Sequence, residues 1–399
     1  MRRLQPWLLA APFALLPFFP SFITLTTVTV PGVSLLPAPL AWTLLASMVA
    51  AAAIALVLLL RRPRNLSPML APLLVWFGAA LLAALLGFDP KGGLLFIGIF
   101  GLGIVWHCGV WAFYADPLSR RAMLWAFLLS GTLAAAAAIG MVVLRVPASQ
   151  YTIGHGRAIG TFILTGELAG YLIVFIPVAY AVATATRVRG LRALAWTGAA
   201  VGAVAFALTF SRTGWVGLAA AAAFYLATTQ GARARYALVP FALAAVAVVA
   251  FFNVNHNPSE NYTRLSIWQA SLEIIERFPL TGVGPFDFAT AYAQVRLPDG
   301  EPTAFHAHSF FLTIFAEMGL VGVVAVVWAW WRFAQILRAA IAAARPAHAR
   351  LALAVAAGLV GTMVQGLIDT VSVVIFGLWL PTMALALVFA RDGLGEDGA

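Results

Sequence analysis

Continuous apolar runs of about 20 residues, repeated along nearly the whole chain, constrain this sequence more than any other feature. A helix needs about 20 such residues to cross a hydrocarbon layer about 30 Å thick. In lipid only helices and closed barrels satisfy their own backbone, and unbroken runs of this length read as helices rather than strands. About twelve spans follow, at 7–28, 38–60, 67–87, 93–114, 122–144, 161–186, 192–210, 213–230, 237–252, 308–331, 351–369 and 373–390. Hydrophobic residues make up 63% of the 399 and charged residues 10%, where a soluble domain carries about 25% charge. The expected fold is therefore all-α: one polytopic integral membrane domain over residues 1–399. The first apolar run lacks a small-x-small cleavage site after it, so it reads as a retained span. Cys108, the single cysteine, excludes a disulfide framework and a thiolate metal site.

A net charge of +10 raises nucleic acid as a partner, but the distribution of basic residues excludes it. With Met1 inside, 17 of the 24 basic residues fall on inner segments, among them Arg61, Arg120, Arg189, Arg338 and Arg350. The surplus is topological and follows the positive-inside bias. Seven remain on the other side: Lys91, Arg145, Arg157, Arg212, Arg264, Arg277 and Arg296. All but Lys91 lie between residues 145 and 308. That stretch includes the one long connection, residues 253–307 between spans nine and ten, expected to be periplasmic. A loop of that length in a bundle of short connections points to function.

Within the loop, "NYTRLSIWQASLEIIERFPLTGVGPFDF" places Leu265, Trp268, Leu272 and Ile275 at helical spacing. Asn261 is an expected cap and Phe278-Pro279 an expected stop. An amphipathic helix lying at the membrane surface or over the bundle follows. Arg264 is expected to open it, where free N–H groups and the dipole favour anions. Arg212, in "TFSRTGW", stands at the outer junction of spans seven and eight beside Ser211 and Thr213. Arg157, in "GHGRAIGTF", stands at the outer mouth of span six. Each could snorkel to headgroups, but three arginines at outer helix mouths together suit a multiply charged anion, whose oxygens the planar guanidinium matches.

"FHAHSFFLTIFAEMGLVG" runs from Phe305 to Gly322. His308 is expected to begin span ten and to share a helix face with Gly319 and Gly322, whose lack of side chains would let another helix approach. Facing an arginine cluster, it is the candidate general base. His306 is the competing base or an orienting neighbour. Glu317 falls on the opposite side of the helix and is expected to pair with another span. Ser309 and Trp268 complete the candidate supporting residues.

These segments resemble the O-antigen ligase and polymerase superfamily of bacterial membrane glycosyltransferases, with the ligases nearest. The resemblance rests on "HSFFLTIFAEMGLVG", "RLSIW", "PLTGVGPFDF", "SRTGW" and "GRAIGTF…LAGYL". "ILTGEL", with Glu167, stands where many relatives carry an Asn-Pro-Asn-like stretch. The resemblance implies a multi-pass inner-membrane enzyme whose active site faces the periplasm. It would move a glycan from undecaprenyl diphosphate to a hydroxyl of lipid A core. A growing glycan as acceptor would make it a polymerase, and a protein acceptor an O-oligosaccharyltransferase. The motifs imply that Arg212 and Arg264, with Arg157, grip the diphosphate while His308 deprotonates the acceptor. No cofactor, metal or nucleic acid is expected. The outer acids, among them Glu260, Asp287, Asp299 and Glu301, are scattered, so arginines rather than a metal would stabilise the departing charge. A lipid-linked glycan transporter is the alternative of another class. It would show broken helices in matching halves, which the sequence lacks.

Overall fold

The computed structural model describes residues 5–18, 38–61, 66–113, 117–146, 148–162, 164–230, 236, 246, 259–343, 346–369, 381–382 and 388. The expected spans at 237–252 and 373–390 lie essentially outside these residues, as does the start of the long loop. Thirteen α-helices occur among the described elements, and no strand. They are α1 (Gln5–Leu15), α2 (Ala38–Arg61), α3 (Leu70–Leu86), α4 (Pro90–Phe113), α5 (Pro117–Leu144), α6 (Ala148–Ile153) and α7 (Thr165–Ala185). There follow α8 (Arg189–Leu208), α9 (Arg212–Gln230), α10 (Ser259–Arg277), α11 (Phe288–Val295), α12 (Phe310–Ala343) and α13 (Pro346–Ile368). Six helices among the described residues are long and apolar enough to cross a membrane. The protein is a polytopic helical membrane protein.

The long helices close into a ring. Contacts pass from α1 to α2, α4, α3, α12, α13, α7, α8 and α5, and from α5 back to α1. Helix α9 packs along α13 and α7. Leu168 through Phe175 of α7 are all buried, so this helix forms much of the core. Apolar area cannot drive helix association in lipid, where tails are as apolar as leucine, so close packing of small residues must. The α9–α13 contact follows that rule: a Cβ on Gly217 would come 2.7 Å from the Gly361 carbonyl oxygen. This approach brings the start of α9 beside the end of α13, where the candidate site lies.

Helix α12 departs from expectation. Gly319 lies inside it with φ +63° and ψ −165°, a break in the helical path. The loop segment after α10 fills that break. Leu320 and Val321 N–H groups donate to the Pro279 and Leu280 carbonyls, while Val283 and Gly284 N–H groups donate to the Ala316 and Glu317 carbonyls. Gly319 thus admits a loop, not the neighbouring helix expected from its spacing with Gly322. A left-handed backbone without Cβ is what allows two chain segments to meet so closely.

The loop helix is present, and the expected face splits: Ile275 is buried and Trp268 half-buried, while Leu265 and Leu272 turn outward. Ile267, Ala270, Ser271 and Ile274 are buried, whereas Leu265 and Leu272 are exposed. Small Ala270 and Ser271 let α10 sit flush on α11 and α12, so the longer leucines turn outward. Tyr262 is exposed beside them, leaving an apolar outer stripe suited to a membrane interface. Helix α10 starts at Ser259, which places Asn261 inside it rather than at its cap, and it stops at Arg277 as expected.

Candidate active site

One end of the bundle gathers the starts of α7, α9 and α12, the end of α13 and the long loop. Asp369 follows the last residue of α13, and its backbone N–H donates to the Gln365 carbonyl at 3.0 Å. Its carboxylate is buried. Oδ2 accepts a 2.6 Å hydrogen bond from Thr213 Oγ1, two residues into the neighbouring α9. Oδ1 lies 3.8 Å from Arg264 Nη2 and 3.9 Å from His308 Nδ1. A Cβ on Gly166, in the first turn of α7, would come 2.6 Å from Oδ2. Gln365 Nε2 ties that turn down by donating to the Gly166 carbonyl at 2.6 Å. Five separate segments therefore converge on one carboxylate.

Burial works against ionisation of Asp369. The interactions with His308 and Arg264, joined by the Thr213 hydroxyl, outweigh it and hold the pKa at about 2. Asp369 is thus a permanent anion at neutral pH. Burial, then the neighbouring His308, lowers His306 to about 3, so that ring stays neutral. The two imidazoles meet edge to face with centroids 4.5 Å apart. His306 Nδ1 accepts the His308 backbone N–H at 3.4 Å, which leaves its ring proton on Nε2. His308 precedes α12 rather than opening it as expected. Its backbone is left-handed, with φ +47°, because Ser309 takes the capping position: Ser309 Oγ accepts the Leu312 N–H at 3.4 Å. A non-glycine residue held in this region costs about 1–3 kcal/mol and is characteristic of functional sites. Phe210, just before Ser211 and Arg212, is left-handed too.

Arg264 sits in the second turn of α10, because the helix begins five residues earlier than the arginine. The free N–H groups of a helix start are therefore not its partners, correcting the expected dipole argument. Its Nη1 donates instead to the Ile368 carbonyl at 2.9 Å. Arg212 does open its helix, as expected. Ser211 Oγ caps α9 by accepting the Gly214 N–H at 3.1 Å, leaving Arg212 between two hydroxyl residues and one residue from Thr213. Arg157 lies in the turn before α7: its Nε donates to the Gly154 carbonyl at 3.3 Å, and the next residue, Ala158, donates its N–H to the Leu208 carbonyl at the end of α8.

The structure thus brings Arg264, His306 and His308 together around Asp369, with Arg212 beside Thr213 and Arg157 in an adjoining turn. Other candidates do different work. Ser309 and Thr313 fold the start of α12, Thr313 Oγ1 accepting the Ala307 N–H at 3.2 Å. Trp268 is half-buried on α10. Glu167 is buried in the first turn of α7. Among the described residues Glu317 pairs with no other span. It accepts the Phe286 and Phe288 backbone N–H groups and stands by Asp287. The Asp287 carboxylate accepts the Asp89 N–H at 2.8 Å, and burial pushes its pKa up. These two acids anchor the loop between α12 and the α3–α4 turn. Among the described residues, no three His, Cys, Asp or Glu side chains form a metal-binding group.

Asp369 is the residue that sequence reasoning missed. Its signal was an ionisable side chain at the rim of an apolar span, which is costly in lipid and so marks function.

A buried carboxylate, an imidazole facing it and arginines alongside have the composition that general-base chemistry next to a bound anion requires. Residues 197–327 match the family model described as O-Antigen ligase. That segment runs from α8 to the middle of α12 and includes Arg212, Arg264, His306 and His308. No curated protein matches the chain.

Proposed function

We propose that this chain, a member of the O-antigen ligase and polymerase superfamily through residues 197–327, is an inverting, metal-independent glycosyltransferase. It takes a glycan from undecaprenyl diphosphate and gives it to a hydroxyl of lipid A core. The reaction occurs at the periplasmic face of the bacterial inner membrane. This orientation agrees with Arg61, Arg120, Arg189, Arg338 and Arg350 lying at the opposite end of the bundle from Asp369.

One observation carries the chemistry: the Asp369 carboxylate facing His308 Nδ1, with Arg264 against the same oxygen. An ionised carboxylate at Nδ1 favours the proton there and leaves Nε2 as the acceptor nitrogen. The 3.9 Å separation exceeds a hydrogen bond, and such contacts tighten when substrate binds. His308 Nε2 takes the acceptor hydroxyl proton as that oxygen attacks the anomeric carbon. The bond from this carbon to the diphosphate oxygen breaks, and its electron pair leaves with the diphosphate. Arg264, Arg212 and Arg157 hold the charge that develops there. Guanidinium presents five N–H donors, so the Ile368 bond leaves Arg264 others for phosphate. One displacement inverts the anomeric centre.

The test is reconstitution. Purified protein is mixed with undecaprenyl-diphosphate glycan and, separately, with lipid A core, a glycan or a peptide as acceptor. Product on lipid A core supports ligation, product on glycan alone makes the enzyme a polymerase, and no product with any acceptor overturns the reading.

A further inference from the structure

An apolar groove of about 450 Å³ lies between α1 and α5. Helix α1 is held from its other side. Trp106 Nε1 of α4 donates to the Leu9 carbonyl at 3.0 Å, and Ser130 Oγ of α5 donates to the Phe13 carbonyl at 2.8 Å. The second bond closes one end of the groove, beside Ala14 and Leu129, so the other end lies at Pro6 and Leu118 and the two helices run in the same direction. Pro6, Ala10 and Ala14 line the groove at successive turns of α1, and Leu118, Ala122 and Ala126 at successive turns of α5. Both walls are therefore unbroken. At 1.5 Å per residue they extend about 12 Å along α1 and, from Leu118 to Leu129, about 16 Å along α5. The alanines keep the floor low, while Trp7, Leu118 and Leu129 stand exposed at the rim, so the groove opens away from the bundle.

Its open end lies far from Asp369. A Cβ on Gly190, in the first turn of α8, would come 3.4 Å from the Trp125 ring, and α8 begins where α7, which starts at Asp369, has ended. One charged residue lines the groove: Arg121, exposed near the start of α5. Trp125 follows it by one turn, and indoles favour the level of the headgroups.

Depth and charge identify the occupant. An acyl chain anchored in one leaflet reaches the midplane of the roughly 30 Å hydrocarbon layer about 15 Å down, which matches the groove. A guanidinium at its open end suits a phosphate, best in a headgroup with no ammonium to offset the charge. We propose that the groove binds one anionic phospholipid from the leaflet opposite the Asp369 site, with an acyl chain between α1 and α5 and the phosphate on Arg121. In the orientation proposed above this is the cytoplasmic leaflet, but the binding itself does not depend on glycosyl transfer. A chain moving from bilayer to groove exchanges one apolar surrounding for another, so it contributes packing. Arg121 sets the choice of headgroup, and one arginine near the surface favours an anionic lipid about fivefold.

The experiment titrates the full-length protein in detergent with phosphatidylglycerol or phosphatidylethanolamine of identical acyl chains and follows the first bound lipid by native mass spectrometry. Wild type should hold phosphatidylglycerol about fivefold more tightly. Arg121→Gln should bring phosphatidylglycerol down to the level of phosphatidylethanolamine and leave the latter unchanged. Arg338→Gln, exposed late in α12 and outside this groove, should keep the preference. Ala11→Phe, at a half-buried lining position, fills the groove and should weaken both lipids severalfold. If that variant does not fold, Ala126→Phe on the facing wall reads out the same way. Equal binding of the two lipids by wild type overturns the proposal. So does a preference that survives Arg121→Gln or that Arg338→Gln removes equally, and so does unchanged binding of both lipids when the groove is filled.

Discussion

Replacing Asp369 by asparagine keeps the shape of the side chain and a carbonyl oxygen for the Thr213 hydroxyl, but removes the negative charge. The fall of the carboxyl pKa from its ordinary 3.8 to about 2 corresponds to roughly 2 kcal/mol favouring the charged form in the folded protein. Because the folded pKa is depressed, that stability is fully present above about pH 4 and is lost as pH falls through about 2. At neutral pH the variant should be less stable than the wild type. The catalytic consequence is larger. Without the anion, nothing fixes the proton on His308 Nδ1, and the rate of transfer should fall about 10²- to 10⁴-fold. Donor binding should move the other way. Arg264 Nη2, 3.8 Å from Asp369 Oδ1, would be released from its carboxylate, so the donor diphosphate should bind as tightly as before or more tightly. Single-turnover transfer and donor dissociation constants, measured on one preparation, separate the two effects. A variant that transfers glycan at the wild-type rate would refute Asp369 as the group that orients His308. A variant that loses donor binding together with thermal stability would make the Asp369–Arg264 pair a clasp between α10 and α13.

Three further outcomes follow from the same geometry. Arg264→Ala should lose about 2–4 kcal/mol of transition-state stabilisation, roughly 30- to 1000-fold in rate. Lysine there should restore only part, since it lacks the planar fork, as initial rates of the two variants will tell. Asp369 stays charged down to about pH 2 and His306 stays neutral down to about pH 3. Neither of these two groups changes charge near neutrality; His308→Gln should lose most of the transfer activity while keeping donor binding, and near-normal transfer by that variant would assign the base elsewhere. Gly319→Ala should destabilise the protein by about 3 kcal/mol or more, because φ is +63° and a Cβ would overlap the Leu280 backbone; thermal unfolding in detergent reads this directly.

The membrane class, the loop helix and the gathering of arginines and histidines at one end of the bundle were legible in the sequence because each has a local signature: apolar run length, helical spacing, and charge at the mouth of a span. What was not legible depended on tertiary contact. Asp369 is far from His308 in sequence, and only the close packing of α9 on α13 brings it to the site. The spacing of Gly319 and Gly322 fits equally a close helix pair and a broken helix, since both need a missing Cβ. Glu317 was correctly excluded as the partner of His308, but its real partners are loop N–H groups, which carry no side-chain pattern. Helical spacing marked Leu265, Trp268, Leu272 and Ile275 as one face of α10 but not which of them pack on the bundle, because small Ala270 and Ser271 also fit its support. Ser309 showed only as a polar residue beside a histidine, and its role in capping α12 required knowing that His308 lies outside the helix.

The central claim is a single displacement by a hydroxyl that His308 deprotonates while Asp369 holds the imidazole. Its most direct test is the anomeric configuration of the product formed by purified protein from a donor of defined configuration, read by nuclear magnetic resonance. The arrangement around Asp369 predicts complete inversion at the transferred carbon. Retention of configuration would mean that an enzyme-bound glycosyl intermediate intervenes, and would contradict the account.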